Sequence, residues 1–230
     1  MTELDQFNRR LVACHLCPRL VAHREQISRE KKREYRDWTY WGKPVPGFGD
    51  PRARLLLVGL APGAHGSNRT GRMFTGDASG DWLYDALFRF GFATQAQAHS
   101  RDDGLRLTDC FITAAARCAP PGNKPTTAEL HTYRPYLERE ITLLRRVRVV
   151  LGLGKIGFEA WLKASGWWAR LRPRERPAFA HGALHRLPDG MILLGTYHPS
   201  RQNTNTGKLT RQMWHGVFRR ARKLLENRET

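Results

Sequence analysis

The chain has 230 residues, and 39 Lys+Arg against 21 Asp+Glu give it a formal charge of +18. That length supports one domain with a sizeable core, and the charge favours a polyanionic partner, nucleic acid before any other. The amino terminus lacks a secretory pattern, no apolar run approaches about 18 residues, and four cysteines are too few for a disulfide scaffold, so a soluble, cytoplasmic protein with reduced or metal-bound thiols is expected.

Taken in order, residues 3–13 have helical spacing and lead into Cys14-His15-Leu16-Cys17-Pro18. A second helical pattern, about Leu20 to Arg36, carries Arg24, Arg29, Lys31, Lys32, Arg33 and Arg36. It reads equally as a solvated face or as a face lying beside nucleic acid. Trp38, Tyr40, Trp41 and Phe48 follow in a Pro/Gly-punctuated loop and are expected to pack on the edge of the core. Apolar runs at 54–59, 110–116, 147–153 and 191–197 read as strands, and helical patterns at 79–90, 126–145, 155–165 and 209–226 follow them. Strands alternating with helices predict βαβ units and a three-layer α/β/α fold around a mainly parallel, four-stranded sheet. One domain is expected over 1–230, with the helices of residues 1–50 packed on it.

In such sheets chemistry collects where strands end. The first strand runs into GLAPGAHGSNRTGRMFTGD (59–77), a glycine-rich loop without the lysine of a P-loop or the spacing of a dinucleotide fingerprint. The second is followed by RCAPPGNKP (117–125) and the fourth by TYHPSRQNT (196–204). Glycine turn 152–155 suits a tight βα turn better than a phosphate site. Together these ends assemble a cleft holding Asp77, His198, Asn123 and Asn203, rimmed by Arg69, Arg72, Arg201 and Lys124. It has one carboxylate, no serine elbow and no acidic cluster for a divalent metal, so a nuclease is poorly supported. A lone carboxylate with a lone histidine suits cleavage through a cationic sugar transition state. The plainer alternatives are that Asp77 caps the following helix and that His198 is a satisfied loop histidine.

The segments 59–77, RCAPPGNKPT (117–126), YHPSRQNTNTG (197–207) and the LCPRLVAHRE that follows His15 resemble the motifs of type-5 uracil-DNA glycosylases, base-excision repair enzymes of the uracil-DNA glycosylase superfamily. The resemblance covers about residues 10–225. It implies that Asp77 is the catalytic aspartate, that His198 steadies the leaving base, and that Phe74 stacks on that base. Gly59, Ala61, Ala114 and Asn123 then line the base pocket. Arg69, Arg72, Lys124, Arg201, Gln202 and Asn203 become the DNA contacts, the last three on a loop pushed into the duplex. It further implies a [4Fe-4S] cluster on four cysteines, of which Cys14, Cys17 and Cys118 are present and the fourth is replaced by Tyr133. Cys110 is a poor substitute, since eight residues of strand put it up to ~26 Å from Cys118. A cluster with an atypical ligand, a zinc and an empty site all remain open. Ala114, where uracil-strict relatives carry asparagine, implies tolerance of hypoxanthine and xanthine.

The expected function is that of a monofunctional glycosylase, acting as a monomer on duplex DNA that contains deaminated bases, with no nucleotide cofactor and no membrane partner. No lysine stands at the centre of the motifs to form a Schiff base. A non-catalytic binder of damaged or single-stranded DNA is the alternative. Asp77 argues against it, since a binder needs no carboxylate in a cationic cleft.

Overall fold

The computed structural model describes residues 1–226. Four strands run parallel: β2 (Leu55–Gly59), β3 (Cys110–Ala114), β4 (Val149–Leu153) and β6 (Ile192–Thr196). All twenty of their residues are buried, as expected of a parallel sheet covered on both faces. Two short antiparallel strands, β1 (Phe48–Gly49) and β5 (Leu184–Arg186), close the edges, so the order is β1-β3-β2-β4-β6-β5. The sheet therefore has six strands where four were expected. Runs of two and three residues carry no periodicity by which a strand could be read.

Alternation along the strands divides the core into two layers. Leu55 and Leu57 join Leu151, Leu153, Ile192 and Leu194 on one face, covered by α4 (Ala78–Arg89) and α9 (Arg211–Glu226) through Leu83, Leu87, Trp214 and Phe218. Leu56, Val58, Val150 and Leu193 face the other way, toward α1 (Glu3–Val12), α5 (Thr127–Leu143) and α6 (Lys155–Ala164). The architecture is three-layer α/β/α.

Helix α2 (Pro18–Glu30) ends earlier than its basic pattern suggests, because Lys31 adopts φ +54° and turns the chain away. Nor is α2 uniformly solvated: Arg24 is 1% exposed. Three short helices complete the chain, α3 (Ser67–Thr70) in the glycine-rich loop, α7 (Trp167–Arg170) and α8 (Arg201–Asn205). No helix among the described residues is long and apolar enough to cross a membrane.

Candidate active site

The loops leaving β2, β3, β4 and β6 meet at the carboxyl edge of the sheet. Asp77 is the N-cap of α4, its Oδ1 accepting from the backbone N–H of Gly80 at 3.0 Å. The capping role is real, but it occupies one oxygen. Oδ2 is turned to the glycine-rich loop, so closely that a Cβ on Gly66 would lie 2.0 Å from it. No residue but glycine fits there. Burial pushes the Asp77 carboxyl above the ordinary carboxylate value; Asp81 adds to the rise, while the N–H groups of Gly80 and Ser79 and the charge of Arg69 oppose it.

His198 follows β6. Gly154, which opens α6 at φ +87°, leaves room for it: a Cβ there would stand 3.3 Å from the His198 Cβ. Burial lowers the imidazole pKa to about 4, so the ring is neutral at physiological pH. Phe74 lies beside it with ring centroids 5.9 Å apart and 32° between planes. The Phe74 backbone sits at φ +54°, a strained conformation for a bulky residue, and its ring rests on Gly59, where a Cβ would meet it at 2.9 Å. Gly59 is paired in register with Ala114, which is 1% exposed in the same apolar layer as Phe74. Carboxylate, imidazole, ring and small-residue floor are thus brought to one sheet edge.

Other sequence-predicted residues are placed differently. Asn203 donates from Nδ2 to the His198 carbonyl at 2.8 Å, which holds the histidine's own backbone. Arg201 and Gln202 are exposed on α8, and Asn123 and Lys124 are exposed on the second loop. Arg69 and Arg72 do not rim the cleft. Both are buried, at 4% and 3% exposure, and both are occupied by protein partners. Arg72 forms a two-pronged pair with Asp103 at 2.8 and 2.7 Å and donates to Thr75, so its charge is neutralised inside the fold. Ala61 packs against the Cys17–Cys118 cluster. Ser79, which the sequence did not single out, donates to the Pro199 carbonyl at 3.1 Å and ties the cap of α4 to the α8 loop.

At the amino-terminal corner Cys17, Cys118, Leu20, Ala116 and Tyr133 pack together, and burial, with a smaller contribution from nearby Cys14, raises the pKa of the Cys17 thiol. Cys110 is buried in the opposite layer, at the far end of β3. The motif implies a four-thiolate cluster, and three of its thiols, Cys14, Cys17 and Cys118, are present and buried. Tyr133 stands in the fourth corner as a phenol donating to Cys118 Sγ at 3.0 Å, and the buried Arg24 guanidinium donates to the same sulfur at 3.0 Å. Among the described residues no three His, Cys, Asp or Glu side chains are arranged to hold a metal ion. Three thiols and a hydrogen-bonded phenol do not supply four thiolates, so the residues present do not fit a [4Fe-4S] cluster.

A family model for the Uracil DNA glycosylase superfamily matches residues 46–222. The chain belongs to that superfamily. It is 53% identical over 220 residues to a type-5 uracil-DNA glycosylase of Thermus thermophilus, covering 96% of this chain and 97% of the relative. The type-5 uracil-DNA glycosylases of Mycobacterium leprae and Pyrobaculum aerophilum are 48% and 44% identical, over 96% and 94% of this chain and 95% and 91% of their own. As a member of the superfamily the chain is a glycosylase, a hydrolase of N-glycosyl bonds. Strand, glycine loop and capped helix around Asp77 all lie inside the matched segment.

Proposed function

We propose that the chain is a monofunctional DNA glycosylase that extrudes uracil from duplex DNA and hydrolyses its N-glycosidic bond, leaving an abasic site. The observation that carries this reading is the meeting of Asp77, Phe74 and His198 over the floor of Gly59 and Ala114. A base inside a duplex is out of reach, so it must leave the stack, and the lost stacking is replaced by pocket contacts. Phe74 supplies the stacking face. The C1′–N bond then breaks with its electron pair leaving on the base, and positive charge develops on the sugar. The Asp77 carboxylate faces that charge and takes a proton from the attacking water as its oxygen bonds C1′. The neutral His198 ring donates a hydrogen bond to the departing base anion. A neutral donor suits this task, since it stabilises the anion without needing low pH. The relatives matched over nearly the whole chain are named type-5 uracil-DNA glycosylases, which supports uracil as the base released.

Ala114 bears on the range of bases. A side-chain amide at that position would pair with one base edge and reject others, whose mismatch leaves buried polar groups unsatisfied. A methyl group imposes no such penalty, so hypoxanthine and xanthine are included in the proposed range. The substrate is duplex DNA approached by a monomer, and the exposed Lys124, Arg201 and Gln202 supply its contacts. The amino-terminal corner has a structural role, since the hydrolysis transfers no electrons.

The test is direct. Purified protein is incubated with duplex DNA bearing uracil or hypoxanthine, then treated with alkali. Strand scission at uracil supports the reading, and none in any duplex overturns it. Ala114→Asn should narrow the range toward uracil; an unchanged preference would remove Ala114 from the base pocket.

A further inference from the structure

Arg69 is a buried cation with an unusual set of partners. Among the described residues no carboxylate lies within ion-pair distance of it, in contrast to Arg72 with Asp103, Arg117 with Glu140 and Arg54 with Asp109. Its guanidinium instead lies in the corner of two aromatic rings set 80° apart, with Cζ 3.9 Å from the Tyr35 centroid and 4.1 Å from the Trp38 centroid. Two backbone carbonyls take its hydrogens: Nε donates to His65 at 2.7 Å and the terminal nitrogen to Gly76 at 3.0 Å. Leaving a buried charge without a carboxylate is costly, and carbonyl dipoles with two π faces are what offset it here.

The two carbonyls are not arbitrary. His65 precedes Gly66, whose missing side chain makes room for Asp77 Oδ2, and Gly76 precedes Asp77 itself. One rigid guanidinium fork therefore spans both limbs of the glycine-rich loop and sets their separation at the carboxylate. The fork packs so tightly that a Cβ on Gly76, at φ +80°, would lie 2.4 Å from the Arg69 terminal nitrogen. Tyr35 and Trp38 come from the segment after α2, so a stretch of chain outside the sheet closes the clamp. Tyr40 adds a second tie, its hydroxyl sharing a 3.0 Å hydrogen bond with His65 Nδ1.

We infer that Arg69 is a positioning residue for base release, a fork seated against Tyr35 and Trp38 that fixes the glycine-rich loop around Asp77, and that it does not contact DNA. The inference rests on the reading of Asp77 as the catalytic carboxylate, and its test separates the two. An ångström of misplacement at a reacting group can cost about 10²-fold in rate. In single-turnover assays at saturating enzyme, Arg69→Met should slow uracil release by about 10- to 100-fold, on the scale of such a misplacement. Arg69→Lys, which keeps the charge but loses the fork, should recover little of it. Duplex affinity by fluorescence anisotropy should stay within about twofold in both, since no phosphate contact is lost. Trp38→Ala, at a position 37% exposed, should give a smaller loss of the same kind, with a circular-dichroism melt confirming that the variant is folded.

The deciding measurement is the double variant. If Arg69 acts through Asp77, adding Arg69→Met to Asp77→Asn should slow release by no more than about twofold beyond Asp77→Asn alone, because a positioning effect vanishes with the group positioned. Fully multiplicative losses would overturn the inference, and so would a tenfold fall in affinity with an unchanged saturated rate. Recovery of the wild-type rate by Arg69→Lys would overturn the fork. Should Arg69→Met fail to fold, Arg69→Lys and Trp38→Ala carry the same cycle. If Asp77→Asn alone releases uracil at the wild-type rate, the reading of Asp77 fails, and with it the route by which Arg69 was argued to act.

Discussion

Asp77 does two jobs that conflict. As a cap it stabilises α4, yet as a buried carboxylate its ionised form is disfavoured by desolvation. Because folding raises its pKa, the folded chain holds the proton more tightly than the unfolded one. Stability is therefore lost as pH rises from the unfolded value through the raised folded one, and that loss persists at neutral pH. Asn keeps the acceptor for Gly80 and carries no charge. Asp77→Asn should accordingly raise Tm at pH 7 by about 2–4 °C, the equivalent of about 1 kcal/mol at this size. It should lower uracil release by about 10² or more, the usual loss for a positioned acid/base group. Calorimetry at pH 7 and pH 4 checks the first part, since the gain should shrink at the lower pH; a lowered Tm at pH 7 would refute it. His198 works in the opposite sense. Its pKa falls on folding to about 4, so its contribution to stability is complete above the unfolded value near 6.5 and is lost as pH drops toward 4. Urea midpoints should decline between those pH values more in the wild type than in His198→Asn.

At the scale of elements, α2 and α5 meet through contacts that need no metal. Arg19 pairs with both oxygens of Glu129 at 2.8 and 2.7 Å, and Tyr133 and Arg24 close on Cys118. Exhaustive chelation should leave Tm unchanged within a degree, whereas Tyr133→Phe should cost about 1 kcal/mol, or about 2–4 °C, as loss of one buried hydrogen bond does. A fall of ten degrees on chelation would show that a bound metal holds this corner. The four parallel strands were legible because Leu55–Val58, Phe111–Ile112, Val149–Leu151 and Ile192–Leu194 are apolar runs bounded by turn residues. That the loops after β2 and β6 approach each other was legible from their unusual composition, and Phe74 does lie against His198. The fates of the arginines were not legible. Arg24, Arg69, Arg72 and Arg117 are each under 5% exposed, and a sequence gives a charge without saying what partner awaits it. For Arg72 that partner, Asp103, lies 31 residues away. The end of α2 was missed for a related reason: Lys31-Lys32-Arg33 continues the polar pattern of the helix, and the positive φ that stops it is a property of the turn.

Over the whole molecule, the charge of +18 sets how DNA is found. Neutralising phosphates releases counterions, so affinity should fall linearly on a log–log plot against salt. Exposed cations set the slope, and buried ones do not. Arg201→Ala should reduce that slope by about one phosphate's worth, while Arg69→Lys should leave it unaltered. Equal slopes for wild type and Arg201→Ala would take α8 away from the duplex.

The two edge strands have a consequence of another kind. A sheet whose outermost strands were as long and apolar as β2 or β4 would offer a row of unpaired amides to any neighbour. Here the ladder tapers to two residues at β1 and three at β5, the latter ending in Arg186. Many copies of a cationic protein crowd along one nucleic acid at high local concentration, which is the condition that promotes edge-to-edge pairing. Margins of two and three residues withhold from a neighbouring copy the long edge that such pairing needs.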